Sequence, residues 1–119
     1  MDHERCNPSD PPEPRVGGKI AMATFIWRGT WTAKGMEEIN DLPKRYEMAQ
    51  NAFKAAGADL KDLYITMGTD DWTGIVEAPN EDAMMKALLT IASSGMAKSQ
   101  TMSAVHIAKA LDILKELNE

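Results

Sequence analysis

The chain has 119 residues and a formal net charge of -5, long enough for one hydrophobic core and, by default, one domain. Its acidic balance opposes the electrostatic capture of a phosphate backbone, so nucleic acid is not an expected partner. A single cysteine, Cys6, leaves no disulfide framework within the chain and no cysteine-based zinc cluster, and no apolar run approaches the roughly 20 residues of a membrane span. These features predict a cytoplasmic protein without a membrane partner.

Residues 1–21 carry Pro8, Pro11, Pro12, Pro14, Gly17 and Gly18 and almost nothing apolar to bury, which predicts a flexible tail. The opening Met1-Asp2-His3-Glu4-Arg5 lacks the apolar stretch of a secretion signal. A domain over residues 22–119 follows. Residues 22–28 are rich in β-branched and aromatic side chains, with Ala23, Phe25 and Trp27 on one face and Met22, Thr24 and Ile26 on the other; they predict a strand apolar on both sides. Ile39, Leu42, Tyr46, Ala49, Phe53 and Ala56 recur at spacings of three and four, one stripe of an amphipathic helix. Pro43 suits a first turn and not an interior, so a short helical turn over 34–41 and a main helix over 43–56 are expected.

Strands over 60–67 and 71–78 flank the turn Met67-Gly68-Thr69-Asp70 and should pair antiparallel. A second amphipathic helix runs from Ala83 to Ile91 and stops at Ser93-Ser94-Gly95. A fourth strand is expected over 99–107, with Met102, Ala104 and His106 on one face, and a closing helix over 108–117 with Leu111, Leu114 and Leu117 as its stripe. The order is α+β, a ferredoxin-like βαββαβ sheet plus a C-terminal helix. A sheet with two crossover helices on one face leaves the other face to be covered by the last helix or by another subunit.

Pro43-Lys44-Arg45, Tyr64-Ile65-Thr66-Met67-Gly68, Asp71 and Ile75-Val76-Glu77-Ala78-Pro79 together resemble the GYD domain family, small proteins of ferredoxin-like fold. The resemblance covers residues 22–119 and leaves the tail unmatched. Where the family has its turn tyrosine this chain has Asp70, so any site built on that tyrosine is altered here. The layout is also similar to dimeric α/β-barrel families, which implies a homo-oligomer, either a dimeric α/β barrel or a larger assembly. The resemblance carries fold and little chemistry.

Candidate ligand-binding residues are Asp71, Arg45, Tyr64, Trp72, His106 and Trp31. Asp71 matches the family's aspartate, and Arg45 is its expected charge partner; such a pair serves fold specificity as readily as a site. Asp70 belongs to the turn and is expected to cap its own backbone. Tyr64 and Trp72 are placed on the open sheet face, and Phe25 and Trp27 under the helices, with the strand phase deciding between them. His106 reads as a general base, as an axial haem ligand by analogy with the wider barrel architecture, or as a satisfied strand histidine. Trp31, in Gly29-Thr30-Trp31-Thr32, reads as a pocket rim or an interface anchor. No phosphate loop, dinucleotide fingerprint or nucleophile elbow occurs, and neither cofactor nor metal is expected. The leading expectation is an oligomeric binding or regulatory module that encloses a small, moderately apolar ligand. Its alternatives are a cofactor-independent isomerase or monooxygenase-like enzyme, with Asp71 or His106 as base and Arg45 or Tyr64 stabilising negative charge, and a structural assembly unit.

Overall fold

The computed structural model describes residues 21–118 together with the backbone of two short strands, β1 (Arg15–Val16) and β2 (Lys19–Ile20), which pair antiparallel. The rest of the expected tail lies outside the described residues. The first long strand, β3 (Ala23–Trp31), alternates buried and half-buried positions along most of its length, the pattern of a strand with one face under helices. It runs three residues further than the sequence suggests, because Thr30 and Trp31 still find partners in Lys98 and Ala97. Trp31 is therefore a strand residue and not part of a polar loop.

Thr32 ends the strand and caps α1 (Ala33–Glu37), its hydroxyl accepting from the Gly35 amide at 3.1 Å. A 3-10 turn (Ile39–Asp41) leads into α2 (Leu42–Ala55), where Pro43 occupies the first turn, the place at which its missing N–H costs nothing. Strands β4 (Asp59–Ile65) and β5 (Trp72–Ala78) form the hairpin, with Gly68 at φ 123° in its turn, a conformation that favours glycine. Asn80 caps α3 (Glu81–Ala92), accepting from the Ala83 amide at 2.9 Å with Glu81 and Asp82 in the first turn against the helix dipole. The chain closes with β6 (Ala97–Ala104) and α4 (Ile107–Leu117).

The sheet order is β4-β5-β3-β6 with every neighbour antiparallel, the ferredoxin-like arrangement. Helices α2 and α3 pack side by side over one sheet face, and the core lies between them and the sheet: Phe25, Trp27, Phe53, Trp72, Val76 and Met84, with Ala49, Ala83 and Ala87 allowing close approach. Phe53 and Val76 have no exposed surface, each worth about 2 kcal/mol of burial.

Three expectations are corrected here. Trp72 is 2% exposed and faces the helices, because the hairpin register pairs Tyr64 with Thr73 and Ile65 with Trp72; Tyr64 alone of that couple lies on the open face. His106 is outside the strand: Ala104 already pairs with Thr24, so β3 offers only Ala23 beyond it and has no residue left to pair with His106. The open face is also less apolar than both-sided strands imply. The register sets Met102, Ile26 and Ile75 in one row that ends in Asp62, flanked by a row of Gln100, Arg28, Thr73 and Tyr64 and by a row of Ala104, Thr24, Glu77 and Asp59.

Candidate functional site

The site grows from the end of β3. Asp71 follows the hairpin turn, and its amide donates to the Gly29 carbonyl at 2.7 Å while its Oδ2 accepts from the Trp31 amide at 2.8 Å. The carboxylate thus replaces a missing ladder partner and holds the last residues of β3 in place. Gly29 is required beside it: a Cβ there would lie 2.1 Å from the Lys98 carbonyl oxygen and 2.7 Å from the Trp72 ring. With that space kept open, Trp72 reaches under the strand. The Trp31 and Trp72 rings lie 4.7 Å apart at 32°, Trp72 meets Trp27 at 5.5 Å, and Trp27 meets Phe53 edge-on at 5.2 Å.

Arg45 stands at the outer end of this aromatic series. Its guanidinium carbon lies 5.0 Å from the Trp31 ring centroid, and Nη2 donates to the carbonyls of Gly35, at 2.8 Å, and Glu38. A cation on the last carbonyls of α1 matches the negative end of that helical turn. Gly35 admits the arrangement, since a Cβ there would sit 2.1 Å from the Met96 carbonyl oxygen and 3.3 Å from Nη1 of Arg45. Arg45 Nε and Nη1 and the indole N–H groups of Trp27 and Trp72 are buried without a hydrogen-bond acceptor. Between these rings and α2 runs an apolar cleft of about 50 Å³, whose walls include Leu42, Arg45, Tyr46, Met48, Trp31 and Met96. That is room for one inserted side chain or a very small molecule, and short of the roughly 300 Å³ or more that encloses a metabolite-sized ligand.

Arg45, Trp31 and Trp72 of the six candidates therefore meet at one cleft, with Asp71 behind it on the Trp31 backbone. Asp71 and Arg45 do not form the expected charge pair; each serves backbone groups instead. Asp70 makes its ion pair with Arg28, at 3.5 Å, rather than capping its own turn through the carboxylate. Tyr64 lies on the opposite sheet face. His106 caps α4, its Nδ1 accepting from the Ala108 amide at 3.0 Å, at the Thr24 end of β3, whereas Asp71 sits at the Trp31 end. Roughly 20 Å of strand separates them, so no acid–base pair of Asp71 and His106 forms. Tyr46 and Met48, 44% and 36% exposed at the cleft mouth, do not stand out in the sequence, because Tyr46 falls in the helical stripe and Met48 reads as core or contact filler. Among the described residues no group of three or more His, Cys, Asp or Glu is placed to hold a metal ion, and no helix is long and apolar enough to cross a membrane.

The GYD domain matches residues 25–114, which span β3 through most of α4. The chain belongs to the GYD domain family. A GYD relative from Thermus thermophilus, named glutamine synthetase and cystathionine beta-lyase binding protein, is 32% identical over 95 residues, 79% of this chain and the whole of that protein. No solved structure matches the chain. In this GYD domain Arg45, from α2, lines the cleft, and Asp71, from the hairpin, holds the Trp31 backbone behind it.

Proposed function

We propose that this GYD domain is a cytoplasmic, self-assembling binding module that regulates other proteins by docking on them, its ligand being an enzyme of the kind named for its relative, glutamine synthetase or cystathionine β-lyase. The observation that carries this reading is the cleft: an apolar slot of about 50 Å³ rimmed by Trp31, Arg45, Tyr46 and Met48. Tryptophan, tyrosine and arginine are the residues on which docking energy concentrates, and a slot of this size accepts one anchoring side chain from a partner. The guanidinium is already held by two carbonyls and by the Trp31 ring, so little ordering entropy is lost when a partner arrives. Self-assembly rests on the open sheet face, whose row of Met102, Ile26 and Ile75 has no helix packed over it among the described residues.

Co-elution tests the proposal: the purified chain is mixed with each purified enzyme and passed over a size-exclusion column with light scattering. The proposal expects the chain to move into the enzyme peak with at least one of the two. Separate elution with both, at concentrations well above micromolar, contradicts it.

A second reading, a small moderately apolar ligand at the same cleft, is favoured by the four buried N–H groups without acceptors on Trp27, Trp72 and Arg45. An acceptor-bearing ligand would satisfy them, and quenching or blue shift of tryptophan fluorescence on adding short-chain carboxylates would report it. No spectral response at millimolar concentration sets this reading aside.

A further inference from the structure

Helix α4 is the least accounted-for element of the fold. Every residue from Val105 to Asn118 is exposed, and among the described residues no other element packs extensively against the helix. Val105, Ile107, Leu111, Ile113, Leu114 and Leu117 are between 43% and 76% exposed, the densest group of exposed large apolar side chains among the described residues. At 100° per residue, Ile107, Ala110, Leu111, Ile113, Leu114 and Leu117 fall within an arc of about 160°, while Lys109, Asp112, Lys115 and Glu116 occupy the rest. An isolated helix with such a face does not persist in water; at 11 residues it needs a partner.

We propose that α4 is an exchanged arm, seated with its apolar face on the open sheet face of a second copy of this chain, over the row of Met102, Ile26 and Ile75. This rests on the self-assembly in the proposed function and names what each copy contributes to it. The width of the apolar arc points to a sheet as the seat, because a helix pair needs only a narrow seam of first and fourth heptad positions. The span is compatible: 11 residues make a helix of about 16 Å, and the apolar row crosses three adjacent strands, about 10 Å between the outer two, before Asp62 of β4 ends it. The chemistry agrees as well, since the apolar row runs across β6, β3 and β5 with polar rows on either side that meet the polar flanks of the helix. Folding back onto its own sheet is opposed by the connection. Only Val105 and His106 separate β6 from α4, and His106 is held by the helix cap, so little chain is free to turn the helix back. The stripe's large apolar side chains are 43–76% exposed and Met102 of the seat is 41% exposed, so a reciprocal exchange covers apolar surface twice over, once on each copy.

Cross-linking tests the seat. In a Cys6→Ser background, Leu111→Cys and Ile26→Cys are introduced singly and together, and each protein is treated with a short bis-maleimide at low concentration. Met102→Cys replaces Ile26→Cys if that variant does not fold. The double variant is expected to give a covalent dimer at twice the chain mass, and neither single variant is expected to give one. A covalent dimer from Ile26→Cys alone means that the sheets meet face to face; one from Leu111→Cys alone means that α4 pairs with α4. Intramolecular closure of the double variant means that the helix folds back. Each of these, or no link at all, overturns the proposal. Light scattering on the unmodified chain separates the two levels: a dimer without the mixed link overturns the seat of α4 alone, and a 13.1 kDa particle overturns self-assembly with it.

Discussion

Replacing Asp71 distinguishes a carboxylate that matters as an acceptor from one that matters as a charge. Its Oδ2 accepts from the Trp31 amide at 2.8 Å in a partly buried setting, and its own amide extends the pairing to the Gly29 carbonyl. Asp71→Ala keeps the second bond and removes the first, leaving the Trp31 N–H unpaired, a loss of about 2 kcal/mol for a partly buried donor bound to a charged group. Asp71→Asn keeps an acceptor oxygen at the same position and loses only the charge, about 0.5–1 kcal/mol. Each kcal/mol lowers the melting temperature of a domain of this size by about 4 °C, so the expected falls are about 8 °C for alanine and 2–4 °C for asparagine. Thermal unfolding by circular dichroism at one fixed protein concentration measures both, the fixed concentration being necessary in a self-associating protein. Asp70→Ala serves as the comparison: it removes an ion pair with Arg28 whose side chains are 24% and 40% exposed, worth at most about 0.5 kcal/mol. If asparagine costs as much as alanine at position 71, the acceptor argument is wrong and the charge carries the effect.

Gly29→Ala and Gly35→Ala each force a Cβ to within 2.1 Å of a backbone carbonyl, so each should cost about 3 kcal/mol or more in denaturant titration; a loss under 1 kcal/mol would show that β6 or the Met96 loop yields easily. Arg45→Met keeps the stem and loses the two carbonyl bonds at the end of α1, with an expected cost of about 1–2 kcal/mol, partly recovered in Arg45→Lys. Phe53→Ala empties the centre of the core and should cost about 3–5 kcal/mol. Leu111→Glu should shift light scattering toward 13.1 kDa without changing the far-UV spectrum of the sheet, since that side chain is 53% exposed within its own chain.

The order of strands and helices was legible because local signals agreed with one another: alternation in β3, the three-and-four stripe of α2 with Pro43 in its first turn, Gly68 in the hairpin and Asn80 ahead of α3. Residues whose environment depends on pairing between distant strands were read less well. Trp72 went to the wrong face because one residue of phase in the hairpin exchanges faces, and the register is set by the bulge between Leu60 and Asp62 as well as by the turn. His106 was assigned to a strand because β6 alternates up to Ala104 and nothing local tells that β3 has ended. The gathering of Trp31, Arg45 and Trp72 at one cleft was invisible for the same reason. Those residues are contributed by three elements, and only the tertiary fold brings them together. The demand for a cover over the second sheet face was legible, since it follows from layer architecture alone.

The measurement that bears most directly on the binding reading is the affinity of glutamine synthetase or cystathionine β-lyase, whichever co-elutes, for three immobilised chains: unmodified, Tyr46→Ala and Leu89→Ala. Tyr46 stands at the cleft mouth and Leu89 is an exposed apolar residue of α3 that does not line it, so both truncations spare the core. The account predicts at least about a tenfold weaker dissociation constant for Tyr46→Ala, some 1.4 kcal/mol, and no change for Leu89→Ala. Equal affinities for all three chains, or a loss confined to Leu89→Ala, would contradict it.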